Sequence, residues 1–128
     1  MIVNSDFKNI SSVDIKEWCQ HSSLGNIGLT FFSEPFKCLD YELLNFLVRC
    51  HSSVDTFFII SHEKVLTEEN LKIIALLPYV NFTYSNENLD EFFKYIHPQY
   101  FFKKSDQNFP DHIDKLISSL EGCQIKEV

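Results

Sequence analysis

Residues 54–61 read VDTFFIIS, a nearly unbroken run of β-branched and aromatic side chains. A run of this length and composition predicts a strand that is buried on both faces, as the strands of parallel sheets are. Thr67 then follows as a predicted N-cap for a helix whose first turn contains Glu68 and Glu69. The stretch therefore predicts one βα unit, and the rest of the chain repeats this pattern.

Working outward, apolar runs at residues 27–32 and 79–84 predict two more strands, and residues 100–103 predict a fourth strand at an edge of the sheet. Helical spacing and capping residues predict five helices, which begin near residue 11, residue 35, residue 67, residue 85 or 88, and residue 110. This alternation predicts one small α/β domain over residues 1–128, with a three- to four-stranded, mainly parallel sheet flanked by helices. Residues 123–128 are expected to form a frayed tail.

A weak internal repeat leaves a second architecture open. Residues 24–29, 54–59 and 77–82 share one spacing of apolar side chains, and each is followed by a serine and a glutamate. The spacing also suits a short leucine-rich-repeat-like stack of βα units, although the asparagine position of such repeats is not kept.

Composition limits the possible partners and the compartment. Eleven Lys and Arg residues stand against eighteen Asp and Glu residues, for a net charge of -7, which argues against nucleic acid as the main partner. No apolar run approaches the roughly 18 residues of a membrane span, and no secretory signal is visible, so we expect a cytoplasmic protein without a membrane contact. Thirteen Phe residues against three Gly and four Pro are typical of A/T-rich codons, as in A/T-rich bacterial genomes.

The cysteines and histidines lack the spacing of a metal site. None of the four cysteines forms a Cys-x-x-Cys pair, and none of the five histidines stands four residues from another. We therefore expect reduced thiols, no metal and no cofactor.

Polar and acidic side chains follow each of the three clearest strands. Because the carboxyl ends of parallel strands share one edge of a sheet, we expect these side chains to form a negative rim together with the first turns of the next helices. The candidate partner-binding residues are Glu34, His62, Glu63, Glu68, Glu69, Tyr84, Asn86, Glu87, Asp90 and Glu91. Tyr41 and Tyr95 are further candidate anchors, because tyrosine is favoured at the centres of interfaces.

Such a rim predicts a docking surface for a basic protein partner, as in immunity or inhibitor proteins that occlude the active site of a toxin or nuclease. Helix capping alone also accounts for each acidic residue singly. A second alternative is a small hydrolytic or metal-dependent enzyme that uses His62 and strand-end carboxylates, with Ser61 or Ser85 as nucleophile. A third alternative is an adaptor or oligomeric structural subunit that pairs through an aromatic patch around residues 92–93 and 100–102.

Overall fold

The computed structural model describes the backbone of residues 9–10 and all atoms of residues 25–105 and 107–128. The strands are β1 (Asn9–Ile10), β2 (Ile27–Phe31), β3 (Thr56–Ser61), β4 (Phe82–Ser85), β5 (Tyr100–Lys103) and β6 (Gln124–Glu127). The helices of the described residues are α1 (Tyr41–Ser52), α2 (Glu68–Ala75), α3 (Asp90–Tyr95) and α4 (Asp111–Ser119). The helix predicted near Ser11 lies outside the described residues.

The six strands of the described residues form one parallel sheet, in the order β1-β4-β3-β2-β5-β6. The predicted α/β class with a parallel sheet is confirmed, while the predicted count of three to four strands is too low. A leucine-rich-repeat-like stack pairs each strand with the next in sequence. That alternative is wrong here, because β5 pairs with β2 rather than with β4.

Helices cover the sheet on both sides, since successive side chains of a strand point to opposite faces. Phe57 and Ile59 of β3 pack with α1 and α2 in one cluster. Phe58 and Ile60 pack with α3 and α4 in the other cluster. All four side chains are fully buried, which explains the unbroken apolar run that predicted this strand.

The predicted start of the helix after β3 is confirmed in atomic detail. Thr67 is the N-cap of α2: its side chain accepts a hydrogen bond from the backbone N–H of Asn70, and the Asn70 side chain accepts one from the Thr67 N–H. This reciprocal arrangement is a capping box. At α3, by contrast, Asn88 is not the N-cap residue, although its Oδ1 accepts from the Asp90 N–H at 2.9 Å.

The C-terminal residues correct two predictions. Residues 123–128 do not fray, because β6 pairs with β5 and Val128 N–H donates to Lys103 O at 3.0 Å. Strand β5 is consequently an interior strand, not an edge strand. The side chains of β6 are exposed along its whole length, so the sequence carries no apolar signal for this pairing.

None of the helices in the two long described ranges combines the length and the apolar character needed to cross a membrane.

Candidate functional site

The three strand ends singled out from the sequence do lie side by side. Strands β2, β3 and β4 are neighbours, and the register pairs Phe31 with Ile60 and Ser61 with Ser85. The segments that follow these strands therefore emerge from one edge of the sheet, which we call the carboxyl edge. Candidate residues Glu34, His62, Glu63, Asn86 and Glu87 follow these strand ends directly.

The first turns of the helices add further carboxylates to the carboxyl edge. Each helix of the described chain follows a parallel strand, so its first turn lies at this edge and its last turn near the opposite one. The acidic residues in these first turns are Glu42, Glu68, Glu69, Asp90, Glu91, Asp111 and Asp114. The basic residues in the last turns are Arg49, His51, Lys72 and Lys94. The helix ends thus place acidic residues at the carboxyl edge and basic residues near the opposite edge. Lys37, Lys64 and Lys104 also follow strand ends at the carboxyl edge, where Lys104 lies 3.7 Å from Glu42.

Two of the predicted rim carboxylates are paired with lysines of their own helices. Glu68 lies 3.5 Å from Lys72, and Glu91 lies 3.2 Å from Lys94. These pairs are substantially exposed and contribute little to stability. The other rim carboxylates form no ion pair with any residue in 25–105 or 107–128; they are Glu34, Glu63, Glu69, Glu87 and Asp90.

The aromatic candidates fare differently. Tyr84 is fully buried, and its ring lies 5.0 Å from that of Phe92, so it cannot anchor a partner on the surface. Its prediction as a binding residue is wrong because β4 has helices packed over the face to which Tyr84 points. Tyr95 is half-buried against the same cluster, whereas Tyr41 is 81% exposed.

A crevice that the sequence did not reveal opens between the ends of β2 and β5. The chain runs from β2 through β3 to β4 on one side, then returns to place β5 on the other side of β2. In open α/β sheets this reversal is where ligands bind, outside the carboxyl ends of the strands. The crevice measures about 530 Å³ and is lined from residues 32–46 on one side and from Lys104, Gln107 and Asn108 on the other.

Hydrogen bonds and rings shape this crevice. Gln107 Nε2 donates to Phe31 O at 3.0 Å, and Gln107 Oε1 accepts from the Lys104 N–H at 3.2 Å. Phe32 and Phe36 meet edge to face, with their centroids 6.2 Å apart. The wall is therefore part aromatic and part polar.

His62 lies in a second cavity of about 290 Å³, where it meets a histidine that the sequence analysis did not connect with it. Its Nδ1 lies 3.2 Å from Glu87 O, and its Nε2 lies 2.8 Å from His112 Nε2. The rings of Phe31 and His62 meet edge to face at a centroid distance of 5.6 Å. Glu87 and Asp90 also line this cavity.

The serine–histidine arrangement of the enzyme alternative is not assembled. Ser61 is fully buried, and its Oγ lies 2.9 Å from Ser85 Oγ in a hydrogen bond between the two strands. Both ring nitrogens of His62 are engaged by Glu87 and His112. The prediction of Ser61 as an accessible nucleophile is therefore wrong.

The aromatic patch of the adaptor alternative is buried except for Tyr100, which is half-buried. Phe92, Phe101 and Phe102 are fully buried, and Phe93 is 8% exposed, because α3 and the interior strand β5 contribute them to the core.

Comparison with known proteins supports the fold. A scan against protein-family models and a search of curated proteins each give no match. Among solved structures, the chain is similar to the lipopolysaccharide core biosynthesis protein from Thermoplasma volcanium GSS1, with a TM-score of 0.59 and 15% identity. The match covers 81% of this chain and 94% of that chain. At this identity the likeness shows a shared architecture, and a shared architecture does not imply a shared function.

Proposed function

We propose that this protein is a non-enzymatic, cytoplasmic binding protein of the immunity or inhibitor kind. Its carboxyl edge docks on a basic protein, such as a toxin with nuclease activity, and covers the active site of that protein. One observation carries the proposal: three strand ends and four helix starts bring their carboxylates to the same edge of the sheet.

Charge and exposure support this surface. Glu63, Glu69, Glu87 and Asp90 are exposed, and none has an ion pair within the described residues. Carboxylates that are free of lysine partners act together on an approaching cation over a Debye length of about 8 Å at physiological salt. Such a field raises the association rate of a basic partner and disfavours acidic ones.

The test compares charge reversals at the two edges. Glu63→Lys alters an exposed loop residue at the carboxyl edge, while Glu121→Lys alters an exposed residue in the turn between α4 and β6, at the opposite edge. Both variants change the net charge by the same two units. Each immobilised protein is offered lysate of its native host at low and at high salt, and captured proteins are identified by mass spectrometry and assayed for nuclease activity.

The expected result is a basic protein that wild type and Glu121→Lys capture and inhibit, and that Glu63→Lys captures more weakly, most clearly at low salt. Equal weakening by both reversals, or an acidic captured protein, would refute the docking surface.

A second candidate function is binding of a small ligand in the crevice between β2 and β5. The position of the crevice at the reversal of strand order supports this candidate. Thermal-shift screening with a panel of small metabolites tests it. A stabilising compound should lose its effect in Gln107→Ala but keep it in Glu121→Lys. A panel without any stabilising compound would contradict this candidate.

A further inference from the structure

His62 and His112 come from distant parts of the chain and converge in the cavity of about 290 Å³ at the carboxyl edge. His62 follows β3, and His112 is the second residue of α4. Their Nε2 atoms lie 2.8 Å apart, and their ring centroids lie 5.0 Å apart. The carboxylates of Glu87 and Asp90 belong to residues that line the same cavity.

The hydrogen bonds define the role of each ring nitrogen. The backbone oxygen of Glu87 can only accept, so His62 Nδ1 donates to it at 3.2 Å. In the neutral imidazole, His62 Nε2 is then an acceptor, and His112 Nε2 donates its proton to it. A lone pair of one histidine thus faces the single proton of the other.

We propose that His62 and His112 together bind a divalent transition-metal ion of the zinc type through their Nε2 atoms. On binding, the exposed His112 ring changes tautomer: its Nε2 proton is lost to solvent and its Nδ1 takes one up, so that both Nε2 lone pairs face the metal. Zinc–nitrogen bonds of about 2.0–2.1 Å at a tetrahedral angle place two ligand nitrogens about 3.3 Å apart. The rings therefore need to separate by only about 0.5 Å from their present distance and to turn toward a common point. His112 is exposed in the first turn of α4 and is free to make this adjustment.

The surroundings of His62 match those of metal-binding histidines. Such histidines almost always donate their second ring nitrogen to a carboxylate or a backbone carbonyl, which fixes the tautomer and the ring orientation. Glu87 O supplies this acceptor, and the buried Phe31 ring packs edge to face with the imidazole. Nε2 is left as the nitrogen that faces the cavity and His112.

Water completes the coordination. Within residues 25–105 and 107–128, no three His, Cys, Asp or Glu side chains already form a metal-binding group. Two imidazoles are the protein ligands, and the carboxylates of Glu87 and Asp90 add negative charge around the cation. The site shares Glu87 and Asp90 with the proposed docking surface, but zinc binding needs neither Glu63 nor a basic protein, so it is tested on the isolated protein.

The experiment titrates the untagged, reduced protein with zinc chloride in an isothermal titration calorimeter, with His62→Ala, His112→Ala and His97→Ala alongside. His97 is an exposed histidine between α3 and β5, at the opposite edge, and serves as the matched control. Circular dichroism verifies the fold of each variant, and the exposed His112 keeps the test valid if His62→Ala unfolds.

We expect one equivalent of zinc to bind wild type and His97→Ala equally, and His112→Ala at least tenfold more weakly. Zinc should also shift the ring nitrogen resonances of both His62 and His112 in NMR spectra. Absence of stoichiometric binding, unchanged affinity in His112→Ala, or resonance shifts confined to other histidines would overturn the site.

Discussion

Gly28 of β2 offers a sharp test of how β2 packs against the side chains of β5. A methyl group on its Cα would overlap Cε2 of Phe102 and come within 3.2 Å of Cδ2 of the same ring and 3.1 Å of Val54. The Phe102 ring is fully buried and meets the Phe57 ring edge to face at 6.1 Å. The ring cannot swing into solvent, so Gly28→Ala forces β2 and β5 apart or pushes the ring into its neighbours.

The expected magnitude follows from two opposing terms. Overpacking a tight core costs about 1–3 kcal/mol. Replacing glycine by alanine in a strand returns about 0.5–1 kcal/mol of backbone entropy. We therefore expect Gly28→Ala to lower the free energy of unfolding by about 1–2 kcal/mol.

A double-mutant cycle isolates the contact. Phe102→Leu removes the ring and by itself costs stability through lost packing. If the added methyl group clashes with this ring, the combined variant should be less destabilised than the sum of the two single changes, by about 1 kcal/mol. Urea unfolding followed by far-UV circular dichroism measures all four proteins.

Gly122→Ala provides the matched control. An added Cβ at Gly122 meets no atom within 4 Å, but the residue has φ +78, where side chains are strained. Its cost should therefore simply add to that of Phe102→Leu. If Gly28→Ala is as stable as wild type, or its cost also adds to that of Phe102→Leu, the packing argument is refuted.

Three other predictions concern capping and thiols. Thr67→Ala removes the acceptor for the Asn70 N–H and should lower the free energy of unfolding by about 1 kcal/mol in a urea titration; an unchanged midpoint would contradict the role of the capping box. Cys38 is exposed and should react with iodoacetamide in the native state. Cys50 is fully buried, and burial raises the pKa of its thiol far above the ordinary range, so it should react only on unfolding. Peptide mass spectrometry measures both reactions, and alkylation of Cys50 in the native state would contradict its burial. Burial raises the pKa of the Cys123 thiol to about 11, so the folded state keeps a proton that the unfolded state begins to lose near pH 9. The free energy of unfolding should therefore fall as the pH rises from about 9 to about 11, and it should fall less steeply in Cys123→Ala. An identical pH dependence of stability in both proteins would disprove this effect of Cys123.

Local sequence signals predicted the parts of the fold that depend on neighbours in the chain. The buried run at residues 56–61, the Thr67 cap and the bounds of β5 at residues 100–103 are as expected. Each rests on an apolar period or on a hydrogen bond between residues three apart, and such features act within a few residues.

Two of the predictions that failed needed the strand order. These two predictions, an edge position for residues 100–103 and fraying of residues 123–128, are wrong for one reason. The exposed strand β6 pairs with β5 through its backbone, and such pairing cannot be predicted from side-chain hydrophobicity. Tyr84 was a candidate anchor because tyrosine is favoured at the centres of interfaces, but α3 packs its Phe92 against the ring.

The candidate site divides in the same way. The acidic residues at helix starts and the basic residues at helix ends could be predicted from the sequence, because the helix dipole favours them within a single turn. The parallel sheet then carries those starts to one edge. The crevice between β2 and β5 and the meeting of His62 with His112 exist only in the tertiary structure. Both join segments at least 50 residues apart, and their contact depends on which strands become neighbours, which is settled by packing the whole sheet at once.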